Sequence, residues 1–174
     1  MFFREVLRGF VGITFIAASL CVAWATPATR SHRGSGSSVP CADIIHYTKF
    51  PYRTGGYRLV LGSLSVPPAY LRQVVPTQNR PWAYWHKAGL VVRGGADAVT
   101  VTVPQVWRSR AAITWGNRGG PVSSLTIARC GGSATVGHSY AGGFYLRARA
   151  ACVPILFEVG ARKRTVRFGV GHRC

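Results

Sequence analysis

Apolar and polar residues alternate through two stretches near the end of the chain, at positions 153–159 and 166–170. Successive side chains of a β-strand point to opposite faces, so a period of two gives each stretch one apolar face. Glycine and charged residues at 160–163 separate the two stretches. The pattern predicts two long antiparallel strands joined by a tight turn.

The apolar face also suggests a register for this hairpin. If Gly160 pairs with Lys163, then Phe157 lies opposite Val166, and the next inward pairs are apolar as well. A shift by one residue would bring Arg167 into the apolar face. We therefore expect a well-specified register built on the pair of Gly160 and Lys163.

Shorter stretches of the same kind fill the rest of the chain. The clearest is 99–103, where valine alternates with threonine. A change of phase at Gly62-Ser63 suggests a β-bulge, and the glycine-rich stretch 131–139 is predicted to be a loop that carries His138. Sustained helical spacing is absent outside the first 25 residues. Short strands separated by Gly and Pro predict an all-β fold, a single antiparallel β-sandwich over residues 41–174.

The start of the chain has a different character. Arg4 and Arg8 precede the apolar stretch 10–23, and an A-x-A tripeptide ends at Ala25. This pattern is typical of a secretory signal peptide over residues 1–25, with an uncleaved anchor as the alternative. The stretch 26–40 is rich in Ser, Gly, Pro and Arg and is predicted to be a disordered linker. We expect a secreted or extracytoplasmic protein without a membrane span in the mature chain.

Four cysteines remain outside the predicted signal peptide: Cys41, Cys130, Cys152 and Cys174. An even number in an exported chain predicts two disulfides. Three connectivities are possible, and we favour Cys130–Cys152 with Cys41–Cys174, because the second bond would join both ends of the domain. The sequence lacks C-x-x-C and H-x-x-x-H spacings, so it predicts neither a metal site nor another cofactor.

The charge balance is the most unusual property of the composition. The chain has 22 Lys and Arg residues against four Asp and Glu residues, a net charge of +18. Such a surface attracts polyanions, including an anionic cell-wall polymer or polysaccharide. The charges are scattered and form no specific nucleic-acid motif, and arginine enrichment can also reflect a GC-rich genome.

Aromatic residues concentrate in the segment PWAYWHKAGLVV at 81–92. On a strand, one face would carry Trp82, Tyr84 and His86, and the other would carry Trp85 and Lys87. These side chains could form a carbohydrate-binding platform or fill the core, because Trp and Tyr supply much of the bulk that a small sandwich needs.

One enzymatic alternative rests on Cys130, which ends the predicted strand LTIARC. A strand-end cysteine with a histidine base, His86 or His138, and Arg147 as oxyanion donor would resemble a sortase-like transpeptidase. Arg129 precedes the cysteine where the sortase signature has a small residue, and the even cysteine count favours oxidation. With so few acids in the chain, glycosidase chemistry on two carboxylates is disfavoured.

Several segments resemble a family of small exported proteins from Gram-positive actinobacteria, namely WAYWHKAGLVV, VTVTVPQVW, AAITWGN, YAGGFYLR, AACVPILFEVG and TVRFGVGHRC. The resemblance covers most of residues 62–174. It implies an exported single domain and brings no catalytic residue. The sequence therefore favours a basic β-sandwich binding module for an anionic envelope or extracellular polymer. A cell-wall-modifying enzyme and a purely structural envelope protein are the alternatives.

Overall fold

A computed structural model describes residues 36–117 and 119–174, and these form an all-β domain. The predicted signal peptide and most of the predicted linker lie outside the described residues. Three single-turn 3-10 helices occur at Cys41–Asp43, Thr54–Gly56 and Gln105–Trp107. The strands are β1 (Ser37–Val39), β2 (His46–Lys49), β3 (Arg58–Val60), β4 (Leu64–Val66), β5 (Tyr70–Leu71), β6 (Val75–Pro76), β7 (Tyr84–Lys87), β8 (Leu90–Arg93), β9 (Val99–Thr102), β10 (Ala111–Trp115), β11 (Ser124–Ile127), β12 (Val136–Tyr140), β13 (Gly142–Leu146), β14 (Ala151–Val159) and β15 (Arg162–Val170).

The strands form three sheets. The six-stranded sheet has the order β1-β11-β9-β14-β15-β5, the five-stranded sheet β2-β12-β8-β4-β3, and the four-stranded sheet β10-β13-β7-β6. Two pairs, β1 with β11 and β15 with β5, are parallel, and the others are antiparallel. The predicted all-β sandwich is confirmed, although the six-stranded sheet is mixed rather than purely antiparallel. In the described part of the chain, no helical segment has the length and apolar character that crossing a bilayer requires.

Strand β9 shows why an alternating sequence folds in this way. Val99 and Val101 are completely buried, whereas Thr100 and Thr102, which alternate with them, point away from the core. The Thr100 hydroxyl lies 3.2 Å from that of Thr126 on β11, and Thr102 lies 2.9 Å from Ser124. The outward positions of β9 thus form a polar ladder with β11, as cross-strand pairs do on a solvated sheet face.

A single buried cluster includes side chains from all three sheets. The ring of Phe168 on β15 lies 5.2 Å from that of Phe144 on β13 and 6.4 Å from that of Phe157 on β14. Trp115 stands edge-on to Phe144 at 5.7 Å, and its indole N–H donates to the Ala88 carbonyl at 2.9 Å. These contacts pack the six-stranded sheet against the four-stranded one.

The C-terminal hairpin has the predicted faces and a different register. Val159 pairs with Arg162 across a two-residue turn at Gly160 and Ala161, so Phe157 lies opposite Arg164 rather than Val166. Gly160 has φ +57°, a left-handed conformation that glycine accepts without strain. The expected register was wrong by two residues, a shift that leaves each side chain on its original face.

The folded domain begins earlier than the predicted boundary at Cys41. Residues Ser37–Val39 pair with β11 along the edge of the six-stranded sheet, and Val39 is buried in the core. For these residues the prediction of a disordered linker was wrong. The composition is Ser-rich, but all three residues pair with β11 and the valine is buried, so the segment is anchored to the sheet.

The predicted bulge at Gly62-Ser63 is instead a reversal of the chain. Val60 pairs with Leu64, and Leu61 and Gly62 both have positive φ angles, +51° and +65°. The phase of apolar positions changes there because the chain enters a second strand of a hairpin, not because one strand is distorted.

Two consecutive glycines allow β13 to lie close to both of its neighbours. A Cβ atom at Gly142 would lie 1.9 Å from the Thr114 carbonyl oxygen on β10. A Cβ atom at Gly143 would lie 1.9 Å from the His86 carbonyl oxygen on β7. Both contacts would be with backbone atoms of paired strands, which cannot move aside without breaking the pairing. Glycine at these positions therefore allows the four-stranded sheet to form.

Candidate functional site

The predicted aromatic segment divides between the two faces of the four-stranded sheet. Tyr84 pairs with Leu146, and His86 pairs with Phe144, both of which are core residues. Tyr84 and His86 therefore point inward, and the imidazole Nδ1 of His86 contacts the Gln73 carbonyl oxygen. For these two side chains the structure supports the core interpretation.

Trp85 and Lys87 point outward, where Trp85 meets an aromatic residue that the sequence analysis did not single out. Its ring lies 6.3 Å from that of Tyr145 on β13, and the Tyr145 hydroxyl accepts a hydrogen bond from the Asn79 side chain at 3.3 Å. The Arg147 guanidinium lies 5.9 Å from the ring of Trp82, which precedes β7. We call Trp85 and Tyr145 the aromatic face.

The indole N–H of Trp85 is a buried donor without a hydrogen-bond partner among the described residues. Buried polar groups are nearly always paired with protein or with water. The half-buried Trp85 therefore offers a ring surface at the aromatic face, whereas its buried N–H does not face a ligand there.

A basic cavity adjoins the aromatic face. Val75 pairs with Trp85 across the sheet and also lines a cavity of about 580 Å³. Arg72 and Arg149 lie on its walls, and the described residues that line it include no carboxylate. A ligand on the aromatic face can therefore reach two guanidinium groups.

Lys87 lines a second, smaller cavity of about 280 Å³ together with Tyr52 and Tyr57. The two tyrosine rings meet edge-on at 5.0 Å, and the Tyr57 hydroxyl donates to the Gly89 carbonyl at 3.1 Å. Burial raises the pKa of Tyr57, so its hydroxyl stays protonated and can donate at neutral pH.

The disulfide joins Cys41 to Cys130, with a Cα–Cα distance of 5.7 Å. The expected pairing of Cys130 with Cys152 and of Cys41 with Cys174 was wrong. The parallel pairing of β1 with β11 explains the difference, because the residues that follow two parallel neighbouring strands emerge at the same end of the sheet.

Cys152 and Cys174 lie side by side as thiols. The chain turns back after β15, so that a Cβ atom on Gly169, the partner of Cys152, would lie 2.9 Å from the Cys174 nitrogen. Burial and the hydrogen bond to Cys152 raise the pKa of Cys174 to about 11. His172 Nε2 is 3.5 Å from the Cys152 sulfur. Oxidation of these two thiols would give the domain a second disulfide, between cysteines that the prediction had assigned to different bonds.

The residues of the transpeptidase alternative have separate partners. Cys130 is bonded to Cys41, and its sulfur lies 3.5 Å from the Tyr140 hydroxyl. Arg147 stacks on Trp82, and His86 contacts Gln73. The nucleophile in such chemistry is a thiolate, so this activity would require reduction of the disulfide.

His138 lies on strand β12 rather than in the predicted glycine-rich loop. It pairs with Val92 of β8 and Tyr47 of β2, and its ring meets that of Tyr47 edge-on at 5.3 Å. The side chain is buried, and burial lowers the pKa of its imidazole. The glycines of this stretch suggested a loop, but Gly137 lies within β12, where a Cβ atom would come within 2.6 Å of a Val91 side-chain carbon on β8.

We expect His138 to make the domain less stable in acid. Its folded-state pKa lies below the ordinary value of 6.5, so the native state favours the neutral ring. The associated stability is present above pH 6.5 and is lost as the pH falls through the folded-state pKa. An NMR titration should show the His138 imidazole protonating below pH 6.5, and His138→Gln should flatten the acid side of the stability profile. An unshifted titration would contradict the expectation.

Neither a scan against protein-family models nor a search of curated proteins finds a match to the chain. The function is therefore inferred from the surface. Among the residues that the sequence analysis left out, Tyr145 could have been found, because it alternates with the core residues Phe144 and Leu146. Tyr52 and Tyr57 lie in irregular segments without such a period.

Proposed function

We propose that this protein is an exported binding module for an anionic envelope or extracellular polymer. The observation that supports the proposal is the state of its few acidic residues. Asp97 pairs with Arg129 at 3.5 Å, Glu158 pairs with Lys163, and Asp43 is buried. The described surface therefore carries many arginines whose charge no carboxylate offsets, and such a surface attracts polyanions.

The aromatic face favours a polymer that contains sugar rings. Aromatic side chains supply large, flat apolar surfaces, and those of tryptophan and tyrosine also carry a polar group. The basic cavity beside the aromatic face adds Arg72 and Arg149. An acidic polysaccharide would match both features, with its rings on the aromatics and its acidic groups near the guanidinium groups.

The disulfide is compatible with a protein that acts outside the cytoplasm. Disulfides form and persist in oxidising compartments and are rare in the cytosol. The bond between Cys41 and Cys130 encloses most of the domain, from the end of β1 to the end of β11. Export through the predicted signal peptide would bring the domain to such a compartment.

Binding to three polymers at several salt concentrations tests the proposal. We expect retention on polygalacturonate or heparin to weaken at least about tenfold between 50 and 200 mM NaCl, as binding through several ion pairs does. Dextran, a neutral glucan, should bind weakly. Trp85→Ala should reduce binding to both acidic polysaccharides at every salt concentration. Tyr47→Ala is the control, because Tyr47 is an exposed aromatic residue on β2 of the five-stranded sheet.

Two results would contradict the proposal. Retention on dextran that does not depend on salt would assign the aromatic face to a neutral glycan instead. A free Cys130 thiol in native exported protein, detected by alkylation and mass spectrometry, would favour the transpeptidase.

A further inference from the structure

Arg58, Arg162 and Arg164 gather where an edge of the six-stranded sheet meets an edge of the five-stranded sheet. Strand β3 is the last strand of its sheet and pairs with β4 on one side. Strand β15 pairs with β14 along its full length, but its other edge pairs with β5 only at Gly169 and Val170. The first half of β15 therefore has an edge that no described strand covers.

Between these two edges lies a cleft of about 420 Å³. Its walls carry Arg58 from β3 and Arg164 from β15, and the buried side chains of Val60 and Val166 also line it. Arg167 borders the cleft as well, but its side chain lies on the opposite face of β15 from that of Arg164. Arg162, at the start of β15, donates to the Ser63 hydroxyl at 3.4 Å. We call this cavity the arginine cleft.

The guanidinium of Arg58 is held in place. Its Nε and Nη2 atoms both donate to the Pro67 carbonyl oxygen at 3.4 Å, and the group lies 5.3 Å from the centre of the Phe168 ring. A positioned guanidinium loses little conformational freedom when it binds an anion, and its planar donors suit oxyanions.

The charges in the cleft are uncompensated. Burial and the nearby Arg164 both lower the pKa of Arg58, which reflects like charges brought together away from water. Among the described residues that line the cleft there is no carboxylate. Glu158, an acidic residue on the neighbouring strand, is paired with Lys163. An anion in the cleft would relieve this repulsion.

We propose that the arginine cleft binds a phosphate group. The guanidinium groups of Arg58 and Arg164, on two facing strands, can donate to different oxygens of one tetrahedral phosphate, whereas a carboxylate has only two oxygens to offer. The cavity has the volume of a small-molecule site, so it can accept a phosphate with its ester substituents. The inference deepens the proposed function, since it takes the anionic ligand class from it and assigns one part of the surface to phosphate.

Calorimetric titration with inorganic phosphate at low ionic strength tests the cleft directly. Arg164 is exposed, so Arg164→Gln should fold normally and weaken phosphate binding about tenfold or more, as loss of a charged hydrogen-bonding partner does. Arg110→Gln is the matched control, because it makes the same charge change at an exposed site outside the cleft, in the connection before β10. We expect it to change the affinity less than twofold.

Arg58→Lys separates geometry from charge. It retains one positive charge but loses the planar fork, so phosphate binding should weaken even though the net charge is unchanged. Equal losses in Arg164→Gln and Arg110→Gln, or acetate binding as strong as phosphate binding, would overturn the assignment.

Polyphosphate and free phosphate distinguish the possible sources of the group. Wild-type binding to polyphosphate that Arg164→Gln weakens supports a polymeric phosphate in the cleft. If polyphosphate binding is unaffected by Arg164→Gln, the cleft assignment fails and the polymer-binding function stands. If no anionic polymer binds but Arg164→Gln still weakens phosphate binding more than Arg110→Gln does, the polymer-binding function fails. The cleft then stands as a site for free phosphate.

Discussion

Replacing both Cys41 and Cys130 with alanine is expected to lower the free energy of unfolding by about 4 to 5 kcal/mol. The two cysteines are 89 residues apart, so their bond removes a large amount of chain entropy from the unfolded state. Small domains are stable by only about 5 to 15 kcal/mol in total. The double variant should therefore be unfolded in part at 37 °C, as urea denaturation followed by tryptophan fluorescence would reveal.

The matched control is replacement of Cys152 and Cys174 with alanine. A bond between them would enclose a much shorter loop and would contribute about 3 kcal/mol at most. Peptide mapping of the unreduced wild-type protein identifies the linked pairs. A linkage of Cys41 to any cysteine other than Cys130, or a loss below about 1 kcal/mol in the first variant, would contradict the prediction.

Phe168→Ala should lower the free energy of unfolding by about 3 to 5 kcal/mol. The Phe168 ring is completely buried between Phe144 and Phe157, and Arg58 lies over it. Truncation removes both the transfer free energy of the ring and the contacts of its neighbours, and it leaves a cavity where two sheets meet. Thermal and urea unfolding would measure the loss.

Two further substitutions calibrate this result. Phe168→Leu retains most of the apolar volume and should cost clearly less. Val106→Ala alters a side chain that is 79% exposed, so it should change stability by no more than about 0.5 kcal/mol. A Phe168→Ala variant as stable as Val106→Ala would show that the sheets do not pack through this ring.

The faces of the C-terminal hairpin could be predicted from its sequence, but the register could not. Period two decides which side chains point inward, and Val166 and Phe168 are buried as expected. A shift of two residues preserves that pattern, so apolar pairing alone cannot distinguish a two-residue turn at Ala161 and Arg162 from the observed one at Gly160 and Ala161. The conformation of one glycine settles a choice to which the hydrophobic pattern is insensitive.

The disulfide pairing depends on a contact that leaves little trace in the sequence. Strand β1 has three residues, and only Val39 is fully buried. Its parallel position beside β11 brings Cys41 to Cys130, across 89 residues of sequence. The spacing of cysteines in the sequence does not show which strands are neighbours. The argument that a bond should join both ends of the domain therefore favoured Cys41–Cys174 instead.

The two candidate sites also differ in how far the sequence could predict them. The aromatic segment was found because Trp and Tyr are concentrated in one stretch, although only the strand pairing shows that Trp85 faces outward beside Tyr145. The arginine cleft could not be found in this way. Arg58 and Arg164 are distant in sequence and come together only because two sheet edges meet.

The open edges of β3 and β15 also bear on how copies of this protein behave in concentrated solution. An uncovered strand edge is a template for pairing with another chain, and natural proteins often protect such edges with charged side chains. Three consecutive basic residues, Arg162 to Arg164, occupy the open edge of β15. Mutual repulsion should keep the chains monomeric in dilute buffer, whereas high salt or a bridging polyanion would remove that protection and allow edge-to-edge assembly.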